Sequence, residues 1–87
     1  MSEALVRIMI NEMNDCLLKA ALELEMSCDE KFPPKERDWH DEKCLKFNCQ
    51  ARILHKCLRK YGFYPEIVYI KTVYDGYEFE VKQYKIP

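Results

Sequence analysis

Tyr64-Pro65-Glu66-Ile67-Val68-Tyr69-Ile70-Lys71-Thr72-Val73-Tyr74-Asp75-Gly76-Tyr77-Glu78-Phe79-Glu80-Val81-Lys82-Gln83-Tyr84-Lys85-Ile86 decides the fold of this chain. Two runs rich in β-branched and aromatic residues flank Asp75-Gly76, the dipeptide suited to a two-residue type I′ turn, where both central residues need φ above zero. The segment is therefore a hairpin over about residues 64–85. Counting outward from the turn pairs Tyr74 with Tyr77, Thr72 with Phe79, Ile70 with Val81 and Val68 with Gln83 on one face, and Lys71 with Glu80 on the other. The first of these faces is apolar and needs a cover. A lone hairpin is also a marginal sheet with open edges, so strand pairing between two copies, a homodimer through the hairpin edge, would complete it.

The cover is supplied by what precedes it. Ser2 can cap a helix over about residues 3–27, in which Leu5, Val6, Met9, Ile10, Met13, Cys16, Leu17, Ala20, Ala21 and Leu24 recur at helical spacing. Phe32-Pro33-Pro34 enforces an extended linker over 28–34, because the residue before a proline is pushed out of the α region. A second helix over about 35–61 follows. Acidic residues crowd its start, basic residues fill its end and Gly62 offers a left-handed cap. Its apolar stripe is Trp39, Cys44, Phe47, Ala51, Leu54, Leu58 and Tyr61. The fold class is α+β: a two-helix antiparallel pair followed by a C-terminal antiparallel β-hairpin, ααββ, with the hairpin packed on the helices.

At 87 residues the chain reads as one domain, 1–87, whose core is small enough for a partner to supply missing burial. The apolar content of 48% suits a folded protein, and 33% charged residues with a net charge of −1 suit a soluble one with no bulk attraction to nucleic acid. Arg7, Asn11, Glu12, Asn14 and Asp15 break the N-terminal apolar pattern, so neither a signal peptide nor a membrane span is expected, and the location expected is cytoplasmic. Cys16, Cys28, Cys44, Cys49 and Cys57 are odd in number, which rules out a complete intramolecular disulfide set and points to mostly free thiols.

Residues 43–60 contain Lys43, Lys46, Arg52, Lys56, Arg59 and Lys60 and no acid. The plain reading is a helix whose C-terminal cations oppose the macrodipole and stay solvated, partly answered by the acids of the first helix; the functional reading is a binding face. Leu45, Cys49 and Ile53 form a second stripe near that face, expected to be core if hairpin and first helix flank the second helix from two sides, and a partner interface otherwise. On the hairpin, Tyr69, Lys82 and Tyr84 share a face that would serve as an amphipathic surface for protein or stacked bases.

No cofactor or catalytic residue is assigned. His40 with Cys44, and His55 with Cys57, sketch a zinc or thiol site, but neither pair repeats as a knuckle and buried cysteines acting as small hydrophobes explain them as well. Only two glycines are present, one used by the turn and one by the cap, which leaves none for a phosphate-cradling loop. The expectation is a small non-enzymatic interaction protein of the size of phage or mobile-element inhibitors and regulators. It would bind a host protein, at an acidic surface, through Lys46, Cys49, Arg52, Lys56, Arg59, Lys60, Tyr69, Lys82 and Tyr84. The alternatives are a nucleic-acid-binding regulator using the same cations on phosphates, and a zinc-supported small domain.

Overall fold

In the computed structural model, which describes residues 2–87, two long helices and a hairpin follow one another: α1 (Glu3–Ser27), α2 (Pro34–Lys60), β1 (Ile67–Tyr74) and β2 (Tyr77–Tyr84). Each boundary has a local cause. Ser2 is extended and its hydroxyl accepts the Leu5 N–H at 3.2 Å, satisfying one of the free donors at the start of α1. Pro34 occupies the first turn of α2, where its missing N–H costs nothing. At the other end Gly62 adopts φ +80°, the Gly62 N–H donates to the Arg59 carbonyl at 2.9 Å and the Phe63 N–H to the Leu58 carbonyl at 3.0 Å. That pair of bonds is a Schellman cap, and it turns the chain toward the hairpin. Asp75 at φ 50° and Gly76 at φ 82° form the expected turn, and the register runs from Tyr74 with Tyr77 to Ile67 with Tyr84, as counting from the turn requires.

The helices pack antiparallel, with contacts in reverse order along the two helices: Glu23 meets His40, and Cys16 meets Gln50. The core holds Val6, Ile10 and Met13 of α1, Leu58 of α2 and Tyr84 of β2, with Met9, Leu17, Leu54 and Phe63 packed around them. Complete burial of Ile10, Met13 and Leu58 is worth about 1.5–3 kcal/mol each, so these three side chains carry a large share of a small domain's stability.

The hairpin does not straddle both helices. It lies along α1 through β2, with β1 outboard. Asn14 of α1 holds one end: its side-chain oxygen accepts the Tyr84 N–H at 2.7 Å, its amide nitrogen donates to the Tyr84 carbonyl at 2.9 Å, and Gln83 Nε2 donates to the Asn14 carbonyl at 3.1 Å. The Asn14 amide thus does for β2 what a neighbouring strand would do. The tip is held at the helix corner, where the Tyr77 hydroxyl donates to Asp29 at 2.6 Å and the same carboxylate accepts the Lys31 N–H at 3.0 Å.

Because the hairpin covers one side only, several apolar residues expected inside are not. Trp39 and Tyr61 are exposed: Trp39 lies at the margin of the buried arc against the His40 ring and the Lys43 ammonium, and Tyr61 falls just past the last turn of α2. Leu5 and Leu24 on α1 are half open to solvent, while Leu22 and the polar pair Glu23 and His40 are buried. The result is a slab of 45 × 22 × 15 Å with a radius of gyration of 14.3 Å, where a compact chain of this length has about 12 Å. Its 6150 Å² of accessible surface likewise exceeds the roughly 5400 Å² typical of its mass. The fold buries one strip along each helix and leaves the rest to solvent.

Candidate protein-binding surface

The outer face of α2 concentrates the largest departure from expectation. Leu45, Cys49 and Ile53 recur one turn apart and are exposed, Leu45 at 60% and Ile53 at 62%, so the second stripe is not core. The physical reason is the placement of the hairpin: it covers α1, and nothing in the chain reaches the far side of α2. On a helical projection this stripe is opposite the buried His40, Cys44, Ala51 and Leu58, and Lys46, Arg52, Lys56 and Lys60 interleave with it.

The cations are not answered from within. Within α1, Glu3 pairs with Arg7 at 3.1 Å and Asp15 with Lys19 at 2.7 Å, and Glu23 reaches across only to Lys43, at 3.0 Å, and His40. Among the described residues Lys46, Arg52, Lys56, Arg59 and Lys60 have no carboxylate within ion-pair distance. Toward the C-terminal end of the helix, Ile53, Lys56, Cys57, Arg59, Lys60 and Tyr64 line a shallow groove of about 520 Å³. Arg59 stands 5.8 Å from the centre of the Tyr64 ring, which leans back over the helix after the Gly62 cap. Apolar floor, cationic rim and an aromatic wall are thereby brought together by one helix and its cap.

The hairpin residues divide. Tyr69 is exposed and Lys82 is half-buried, but Tyr84, expected on the same open face, is only 6% exposed. Its ring stacks on His55 of α2, centroids 5.2 Å apart and planes 27° apart. Strict alternation assumes a flat ribbon, whereas a two-stranded ribbon twists strongly, and the clamp at Asn14 draws the end of β2 into the helices. Tyr84 therefore belongs to the core and not to a binding face.

The histidines and cysteines are likewise separated by the fold. His40 Nδ1 engages one oxygen of the buried Glu23 carboxylate, whose other oxygen takes Lys43, and the His40 ring lies 5.1 Å from both Phe32 and Trp39. A carboxylate this buried is tolerated because both its oxygens have cationic or donor partners. Nothing in the spacing of Glu23 and His40 announced this pair; the only available signal was that both fall on the faces that two antiparallel helices turn to each other. Cys44 is buried and accepts from the Asn48 amide at 3.6 Å. Burial first, then the charges of Asp41 and Glu23, push its thiol up, as burial and the charges of Glu12 and Asp15 do for Cys16. Both stay protonated at neutral pH and pack as small apolar groups. Cys28, Cys49 and Cys57 are exposed free thiols. His55 is pushed down, chiefly by burial and then by the charges of Arg59 and Lys82. Among the described residues no cluster of three or more His, Cys, Asp or Glu side chains is placed to hold a metal ion, and no helix is long and apolar enough to cross a membrane. Comparison with known protein families, curated proteins and solved structures finds no match.

Proposed function

We propose that this chain is a non-enzymatic interaction module that binds an acidic surface of another protein through the outer face of α2, and that by covering that surface it inhibits or regulates its partner. The observation that carries this reading is the exposed Leu45, Cys49 and Ile53 stripe set among five unpaired cations. A helix that only stayed solvated would have no use for large aliphatic side chains along its outermost line. Apolar anchors ringed by arginine and lysine are the composition of a protein-binding hot spot, in which the anchors are desolvated and the charges choose the partner and speed encounter. Contacts to a phosphate backbone need the cations alone and leave the aliphatic stripe unused, and the chain's net charge of −1 gives no long-range pull toward nucleic acid.

The test is affinity capture from the native host with the wild-type chain and with the triple variant Arg52→Glu, Lys56→Glu, Arg59→Glu, at positions exposed enough for the helix to tolerate them. The expected result is an unchanged circular dichroism spectrum and loss of a specific protein partner. Capture of the same partner by both chains refutes the assignment. Binding to duplex DNA that falls steeply with salt and is lost in the triple variant would replace it with the nucleic-acid reading.

A further inference from the structure

The outer edge of β1 is a second open surface, separate from the α2 face, and it is built differently from the outer edge of β2. The Lys85 N–H donates to the Glu66 carbonyl at 2.8 Å and the ladder closes through Tyr74 and Tyr77, so the even-numbered residues of β1 spend their backbone groups inside the hairpin. Ile67, Tyr69, Lys71 and Val73 turn theirs outward. The corresponding outward positions on β2 are Glu78, Glu80, Lys82 and Tyr84. Three of those are charged, and the backbone of the fourth is occupied by Asn14. Charged edge residues and a covering side chain are two devices that prevent strand addition. The edge of β1 has no covering side chain and, over eight residues without proline, a single charge at Lys71, with Tyr69 and Val73 each 65% exposed.

We propose that this edge pairs antiparallel with the same edge of a second copy of the chain, about a two-fold axis at Ile70, giving a continuous four-stranded sheet with the two β1 strands at its centre. The self-complementarity of the edge supplies the register. With Ile70 facing Ile70, Ile67 faces Val73 and Tyr69 faces Lys71, so all four outward residues of each strand are used in about eight inter-subunit hydrogen bonds, and the only charge meets an aromatic ring. Sliding by two residues in one direction sets Lys71 against Lys71, a like-charge pair at the axis. Sliding by two in the other sets Val73 against Pro65, which has no N–H to give. Ile70 itself belongs to the inward face of the sheet yet is 47% exposed, because no helix lies beneath β1; across the axis its symmetry mate covers it. The excess surface of the slab is removed at the same place.

The experiment is sedimentation equilibrium of the full chain over a concentration series, in reducing agent so that the exposed Cys28, Cys49 and Cys57 cannot cross-link copies. The wild type should populate a species of twice the 10.5 kDa chain mass. Tyr69→Lys sets an ammonium against Lys71 twice by symmetry and should weaken the dimer roughly tenfold, whereas Tyr69→Glu sets opposite charges together and should leave it as tight or tighter. Both changes fall on an exposed side chain, and circular dichroism verifies that each variant folds. A wild type that stays monomeric throughout the series overturns the proposal, and so does a dimer that responds alike to both substitutions or to neither. The triple charge reversal on α2 lies on a different surface and leaves this dimer unchanged, so failure of one proposal is distinguishable from failure of the other.

Discussion

Replacing Asn14 by Ala removes the contact on which attachment of the hairpin to α1 depends. The substitution deletes the acceptor for the Tyr84 N–H and the donor to the Tyr84 carbonyl, at 2.7 and 2.9 Å, and leaves both backbone groups of a buried residue without partners. Two hydrogen bonds of this kind are worth about 1 kcal/mol each, and stranding a buried group raises the cost, so Asn14→Ala should destabilise by about 2 kcal/mol. A chain of 87 residues has a total stability of roughly 4–13 kcal/mol, which makes that loss a large fraction and lowers Tm by roughly 10 °C. Urea unfolding followed by far-ultraviolet circular dichroism reads the difference, and amide exchange locates it: protection at Tyr84 should fall further than protection at Leu58 in the helical core. Asn14→Asp is the internal control, since a carboxylate keeps the acceptor and loses the donor, and should fall between wild type and the Ala variant. If Asn14→Ala unfolds within about 0.5 kcal/mol of the wild type, the side chain is not acting as a surrogate strand and the hairpin is held by apolar packing alone.

At the other end of the hairpin, the Tyr77 hydroxyl first, and then the Lys31 N–H, hold the Asp29 carboxyl below its ordinary value of 3.8. A depressed carboxylate contributes stability that is present above 3.8 and lost as pH falls through the lower folded value, so Tyr77→Phe should be less stable than wild type at pH 5 and converge with it in strong acid; a pH-independent gap between the two chains would refute this. His55 works in the same direction near neutrality. Its folded value is pushed below 6.5, so the folded chain binds fewer protons than the unfolded one and stability declines as pH drops through 6.5. His55→Phe keeps a ring against Tyr84 and should flatten that decline in urea midpoints between pH 7 and 5, while an imidazole titrating above 6.5 by NMR would contradict the burial argument.

Turn chemistry, capping and periodicity determined the architecture without help from long-range contacts. Asp75-Gly76 admits one turn and hence one register, Ser2 and Gly62 mark where the helices begin and stop, and Pro33-Pro34 separates them, because each of these acts within a few residues of itself. The run of cations in α2 was equally legible, but whether anything answered it was not. Tertiary structure decided which faces were covered. A wheel ranks positions around a helix and says nothing of which neighbour arrives, so the Leu45, Cys49 and Ile53 stripe, core only if hairpin and first helix flank α2 from two sides, lies outside, and Tyr84, expected on an open face, lies inside. That outcome turns on Asn14 fastening β2 to α1, a contact across 70 residues of chain, which leaves β1 and the far side of α2 bare. Burial of Glu23 with His40 has the same origin: two polar residues on separate helices become a pair only when the helices meet. Local physics sets what each segment becomes, whereas exposure depends on how the segments share one small core.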